Sequence, residues 1–455
     1  MIARDIARYV GSVRYSDLDK RTVDNAKRLI ADTIGCGIGA FGELPVQIAM
    51  DTVRHMKGAR AATILGTGIK VEPQMAAFVN GTMTRYFDYN DTYDAKEFSH
   101  PSDNIMPILA VSQAEGRSGK DALLGCIIAY EIQARLADAA NLWKRGWDHV
   151  IYGLVSVSAA ASRMMGLPDE KTEQAINIAL NSHIVMRQLR AGELSMWKGV
   201  AFSNVARNAI FAAELARNGM TGPSPVFEGE MGLFKQVTGQ FRLDTRNFGK
   251  GGGFRINRDL IKYFPAETRA QAAIFAALKL RKEISSVNQI GKVEIGAGEA
   301  TVKVIGSGRE KWNPMTKETA DHSMPYIVAA ALMDGKIDTA TFMPRRFRDR
   351  KILEFMRRIV VREVPRYTAM FNRGGTVNAA AVGLQLRDGR FLQKEIIYPK
   401  GHWKNPMSDE EVKSKFRRLA GRYMDADRIE KALGMLWRLE QIEDVGRLFS
   451  VMRFR

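Results

Sequence analysis

From residue 1 to about 260, apolar positions recur at i, i+3 and i+4, the spacing that lines up one helical face. The first long run follows the capping pair Ser16-Asp17 and carries Val23, Ala26, Leu29, Ile30, Thr33 and Ile34. The glycines Gly35, Gly37 and Gly39 are expected to stop it. Further helical patterns cover about 72–88, 104–116, 119–140, 150–165, 169–184, 199–219 and 231–238. Two stretches, Leu123 to Tyr130 and Ile151 to Met165, are apolar nearly all round, so they belong inside a bundle. Asn218-Gly219 is a helix stop.

The pattern changes after Gly249-Lys250-Gly251-Gly252-Gly253, which reads as a linker or tight turn. A helix over 266–283 leads to the strand candidate Val293-Glu294-Ile295. Another helix covers 318–334 and closes at Gly335, and Arg358 to Val364 reads as a strand. Val377 to Leu386 and Phe391 to Tyr398 flank Asp388-Gly389, a hairpin signal. After Pro406, Ser408-Asp409-Glu410-Glu411 opens a helix with a capping box. The expected fold is therefore mainly α: a helical domain over 1–264, a smaller α+β domain over 265–405, and C-terminal helices over 406–455 that return to the first domain.

A chain of 455 residues is too long for one ordinary core, which agrees with two domains. No stretch approaches the roughly 20 apolar residues of a membrane span. The N-terminus, with Arg4, Asp5 and Arg8 spread through it, lacks a signal-peptide core, and a cytoplasmic location is expected. Two cysteines, Cys36 and Cys126, cannot supply an iron–sulfur cluster and read as buried small hydrophobes. The net charge of +18 suits either a nucleic-acid surface or a general field that attracts anions. The basic residues are dispersed apart from the run Arg345 to Lys351 and Arg357-Arg358, which reads as an exposed helix face. The anion field is the preferred explanation.

Three stretches could carry chemistry. In Asp88-Tyr89-Asn90-Asp91-Thr92, followed by His100-Pro101-Ser102-Asp103-Asn104, a helix ends, a polar loop follows and a new helix starts with Ser102 or Asp103 as its cap. His100 then stands just before a helix start, among Asp91, Asp94 and Glu97, and imidazole suits proton transfer near neutral pH. The irregular carboxylate spacing is not a zinc pattern. In Arg187-Gln188-Leu189-Arg190 through Lys198-Gly199, two arginines and a lysine in a glycine-containing turn suit carboxylates. In Asp321-His322-Ser323-Met324-Pro325-Tyr326, Tyr326 is expected one turn after His322 on the same helical face. Each has a plainer reading: a capped loop, a solvated turn and an aromatic core position. Arg269, at the start of a helix after Phe264-Pro265-Ala266-Glu267, is a further candidate for the cleft. No phosphate-binding glycine loop is present, and no cofactor is expected.

Together these blocks, with Gly192 to Gly199 and Asn405-Pro406-Met407-Ser408-Asp409-Glu410-Glu411, resemble the MmgE/PrpD family, which includes 2-methylcitrate dehydratases and cis-aconitate decarboxylases. The resemblance spans nearly the whole chain. It implies a helical domain with an α+β lid, a site between them, a homodimer and a small polycarboxylate substrate, with a place in propionate metabolism. It places catalytic roles on Asp88, Thr92, His100, Lys198 and Tyr326. A family histidine falls where this chain has Arg269, which can clamp a carboxylate but stays protonated and cannot act as acid or base. The expected reaction is a metal-independent dehydration of a citrate-like acid. His100, oriented by Asp88, takes the proton, and Tyr326 or His322 protonates the leaving hydroxyl. Thr92, with Asp91, Ser102, Arg190, Arg269 and Lys198, binds substrate or steadies charge. Decarboxylation, dicarboxylate isomerisation and, remotely, nucleic-acid binding are the competing readings. Nucleic-acid binding leaves the acidic loop from Asp88 to Asp103 unexplained, so neither a nucleic-acid nor a membrane partner is expected.

Overall fold

A computed structural model describes residues 1–250, 253–374 and 377–455; Gly251 and Gly252 of the expected linker lie outside the described residues. The fold is mainly α with small sheets. One apolar core runs from Ile2 to Ile256 and takes in Val412, Phe416, Leu433 and Leu448 of the C-terminal helices. Both cysteines are buried and free. Among the described residues no single helix is long and apolar enough to cross a membrane.

The Lys20–Gly39 helix departs from the sequence reading at both ends. Asp19, not Ser16-Asp17, caps it by accepting the Thr22 N–H, and the glycines lie inside it. A Cβ on Gly35 would stand 3.0 Å from the Phe416 ring, and one on Gly39 would stand 3.0 Å from Leu419. Bare glycines let the Asp409–Ala420 helix come close. That burial outweighs the ~1 kcal/mol each glycine costs in a helix.

A second core gathers Phe264 to Leu386. Its four-stranded sheet runs in the order Ile359–Glu363, Ile290–Ala297, Ala380–Leu386, Phe391–Ile396. The first pair is parallel, in register Val293 with Ile359, and the others are antiparallel. The Gln271–Arg281 helix packs on the Ala380–Leu386 and Phe391–Ile396 strands and against the Met324–Asp334 helix. The hairpin turn falls at Asp388-Gly389, with Gly389 at φ 89°.

The expected helix over 318–334 is two pieces, Lys317–Ala320 and Met324–Asp334. Pro325 has no N–H to donate, and in a continuous helix its ring would strike the carbonyl of Asp321. The Ser323 hydroxyl restarts the helix by accepting the Tyr326 N–H at 3.2 Å. Asp321 and His322 therefore occupy a turn, and the one-turn relation assumed between His322 and Tyr326 does not exist.

A two-stranded ladder absent from the sequence reading joins the halves of the first domain's polar region. Asp91–Thr92 pairs antiparallel with Leu260–Ile261. Lys415, from the C-terminal helix, donates to the carbonyls of Tyr89 and Lys262 at 2.8 Å each and pairs with Asp32 at 2.7 Å. Ile261 also donates its N–H to Gly401 at 3.1 Å. Gly401 has φ 97°, and a Cβ there would lie 1.9 Å from the Ile261 oxygen. Gly401→Ala is expected to destabilise the protein by roughly 2 kcal/mol or more, from backbone strain and overpacking together. Urea unfolding measures this; unchanged stability would show that the turn does not hold the ladder.

Candidate active site

The Pro73–Tyr86 helix carries Arg85 in its last turn, and the chain then turns through Asp88 at φ 49°, the one non-glycine residue in the left-handed region among those described. Aspartate tolerates that conformation better than most side chains. The turn buries the Asp88 carboxylate among three cations: Arg85 Nη2 at 2.9 Å, Lys262 Nζ at 3.0 Å and Lys198 Nζ at 3.4 Å. Lys262 also donates to the Asp88 carbonyl at 2.8 Å. Burial alone would raise the Asp88 pKa, but Lys198, Lys262 and Arg85 hold it well below the usual carboxylate range. Burial lowers Lys198 to about 8 against the pull of Asp88.

Two imidazoles face the same space. His322 Nδ1 donates to Asp321 at 2.5 Å, while its Nε2 lies 4.0 Å from Asp88 Oδ2. Burial, then Lys198, lowers His322 to about 4, against Asp321. Asp321 itself is held at about 2: burial raises it, but Lys317, Lys198 and His322 more than offset that. His100 Nδ1 donates to the Asp91 carbonyl at 2.6 Å. Burial, with Arg85 and Lys262 nearby, pushes its pKa well below the ordinary histidine value. Both rings are thus neutral at pH 7, each with Nδ1 carrying the hydrogen and Nε2 left as an acceptor.

Arginines complete the wall. Asp148 takes Arg190 through both oxygens, at 2.6 and 3.3 Å, and lies 3.7 Å from Arg187. Arg269 pairs with Glu267 at 2.5 Å, and its guanidinium lies over the Phe98 ring at 4.8 Å. Arg187 stands over the same ring at 5.9 Å. A cavity of about 30 Å³ lies between these groups, walled by five cations (Arg187, Arg190, Lys262, Arg269, Lys311), two carboxylates (Asp88, Glu267) and both histidines. The first core's segments supply Asp88, His100, Arg187, Arg190 and Lys262; the second half supplies Glu267, Arg269, Lys311 and His322.

The structure gathers Asp88, His100, Lys198, His322, Arg190 and Arg269 in one place and leaves other expected residues outside it. Tyr326 is buried in the second core against Phe342, and its hydroxyl donates to the Thr341 carbonyl. Restarting the helix at Ser323 turned the phenol inward, so Tyr326 has no part in the cavity wall. Asp91 accepts from Ser102 and, at 2.8 Å, from Tyr130, so Asp91 and Ser102 are spent on each other beneath the site. The Thr92 hydroxyl donates to the Asp91 carbonyl at 2.8 Å and stands 3.4 Å from His100, where it supports the ring. Ser102 and Asp103 do not cap the next helix, because Asp91 engages the first and Arg85 lies 3.5 Å from the second. His100 is oriented by the Asp91 carbonyl and not by Asp88, whose oxygens serve the cations.

Sequence reasoning missed Arg85, Phe98, Asp148, Lys262, Glu267 and Lys311. Only Lys262 carried a usable signal: a single lysine inside the apolar run Leu260-Ile261-Lys262-Tyr263-Phe264 must find a buried anion.

The family model for the MmgE/PrpD N-terminal domain matches residues 4–246, and that for the MmgE/PrpD C-terminal domain matches 264–441. The 2-methylcitrate dehydratase of Salmonella typhimurium is 30% identical over 421 residues, 88% of this chain and 85% of its own length. The cis-aconitate decarboxylase of Homo sapiens is 26% identical over 468 residues, 99% and 94% of the two chains. The probable 2-methylcitrate dehydratase of Saccharomyces cerevisiae is 28% identical over 425 residues, 88% and 81%.

Asp88→Asn keeps the shape and tolerates the same backbone, so it isolates the charge. Leaving the buried Lys198 and Lys262 without their anion is expected to cost about 3 kcal/mol or more. Chemical denaturation tests this, and a variant as stable as the parent would remove Asp88 from the centre of the site.

Proposed function

This chain is a lyase of the MmgE/PrpD family, and on that premise we propose that it removes water from a citrate-like tricarboxylate in the cavity between its two halves. The observation that carries the reading is the wall itself: five cations against two carboxylates, with two neutral imidazoles presenting acceptors. The excess positive charge suits a small polyanion, and the imidazoles suit proton abstraction. The division into 1–264, 265–405 and 406–455 belongs to the same proposal, supported by the two separate cores.

Dehydration moves a proton from a carbon beside a carboxylate to a base, and the neighbouring hydroxyl leaves as water with a proton from an acid. His322 is the base in this scheme, because Asp321 fixes its tautomer and steadies the imidazolium as it forms. Lys262, an ammonium whose pKa burial lowers against Asp88, protonates the leaving hydroxyl. Asp88 Oδ2, 3.0 Å from Lys262 and 4.0 Å from His322, joins the two and offers the route by which the proton returns. The arginines hold the carboxylates and the charge that gathers on them as the proton leaves. His100 accepts a hydrogen bond from the substrate hydroxyl. A cavity of about 30 Å³ has room for about two water molecules, so the halves part to admit the substrate.

Decarboxylation of a cis-aconitate-like acid is the second reading, favoured by the decarboxylase relative whose alignment reaches 99% of this chain. The same cations would hold the charge left when CO₂ departs. The mass of the product separates the two reactions.

His322→Ala is expected to lower kcat for 2-methylcitrate or citrate by about 10²–10⁴. Near-normal turnover in that variant, with loss in His100→Ala, would move the base to His100. The base must be neutral, so activity should hold through mildly acidic pH and fall only as pH drops toward the His322 value of about 4. It should fall again as pH rises through about 8, where Lys198 loses the charge it sets beside Asp88. A decline centred near the ordinary histidine value would contradict the neutral-imidazole site. Turnover should also survive a chelator, since the cations supply the charge stabilisation; chelator-sensitive turnover would overturn that part.

A further inference from the structure

Most cations around the cavity already have an anion. Arg190 and Arg187 have Asp148, Arg269 has Glu267, and Lys262 has Asp88. Lys311 differs. It lies on the short Arg309–Trp312 helix, is 5% exposed and lines the cavity. Its ammonium makes no hydrogen bond among the described residues, and the only carboxylate within reach is Glu310, at 3.9 Å on the neighbouring position. Glu310 is itself 32% exposed, so water weakens the pair. Burial pushes the Lys311 pKa down, as expected of a desolvated ammonium without a close partner.

Its backbone is nonetheless anchored. The Ser323 hydroxyl donates to the Lys311 carbonyl while accepting the Tyr326 N–H, so one side chain ties Lys311 to the turn that carries His322. A buried cation that is costly to the empty protein, held in register with the base, is what a ligand anion would satisfy.

We propose that Lys311 receives a substrate carboxylate from the α+β side and sets the preference for three carboxylates over two. This rests on the tricarboxylate reading above. The arginines anchored by Asp148 and Glu267 hold two carboxylates, and Lys311 is the receptor for the third. A dicarboxylate leaves the Lys311 ammonium unmatched.

The test compares wild type with Lys311→Met and Lys311→Arg, using unreactive propane-1,2,3-tricarboxylate and glutarate in calorimetric titrations and 2-methylcitrate in steady-state assays. Wild type should bind the tricarboxylate at least tenfold more tightly than glutarate. Lys311→Met should lose most of that preference, with glutarate affinity unchanged, and show a raised KM with a smaller change in kcat. Lys311→Arg should restore part of it. The ligand-free melting temperature of Lys311→Met should equal or exceed that of wild type, which a purely structural lysine would not give. Equal weakening of both ligands, or no change in either, overturns the proposal. So does a Lys311→Met protein that fails to fold alongside a Lys311→Arg protein with altered glutarate binding. Wild type that does not prefer the tricarboxylate overturns the underlying reading as well, and that result is visible before any variant is made.

Discussion

The buried carboxylate of Asp88 is the constraint on which the site depends. Three cations converge on it: Arg85 from the adjoining helix, and Lys198 and Lys262 from segments distant in the chain. Among the described residues Lys198 and Lys262 have no other carboxylate within 4 Å, and an unpaired interior charge costs several kcal/mol. The left-handed turn at Asp88 aims the carboxylate at all three. Asp88 Oδ2 also lies 4.0 Å from His322 Nε2, so one anion organises the cations and stands beside an imidazole of the cavity wall.

Around this centre, carboxylates stand behind or beside the groups that face the cavity, and two of them, Asp88 and Glu267, reach the wall themselves. Asp148 sits behind Arg187 and Arg190, Asp321 behind His322, and Glu267 beside Arg269. Each carboxylate holds its partner in one orientation while leaving further donors or acceptors open. Preorganisation of this kind stabilises charge that develops during a reaction without rearranging the protein at that moment. The seam between the halves is built to similar effect. Leu194 exchanges hydrogen bonds with Thr319 and Thr316, and Lys317 reaches the Tyr86 carbonyl. The seam beside the cavity is thus made of polar loops, with an apolar core on either side.

The fold was legible where burial is periodic. The helical stripes over 72–88, 104–116, 119–140, 150–165, 169–184 and 199–219, the hairpin at Asp388-Gly389 and the capping box at Ser408 form as their patterns predict, whereas the stripe over 231–238 is only the short turn Phe234–Thr238. One error arose where a partner distant in sequence decided the outcome, and another where a local proline did. Glycines read as a helix stop became a packing face because Phe416 and Leu419 lie against them. A continuous helix over 318–334 failed at Pro325, and with it the placement of Tyr326.

The sequence alone determined which residue types were available and which stretches are helical, because amphipathic spacing is local; the ends of the Lys20–Gly39 helix and the break before Met324 departed from that reading. It identified the polar loops that hold Asp88, His100 and Lys198, while it placed His322 on a helix where the structure has a turn. Only the tertiary structure decided which oxygens and nitrogens meet. Asp91, not Asp88, orients His100; Lys262 enters through a two-residue ladder; Lys311 stands without a close anion. Those outcomes depend on distances of a few ångströms between segments far apart in the chain, where Coulombic and desolvation energies are large and no local pattern records them.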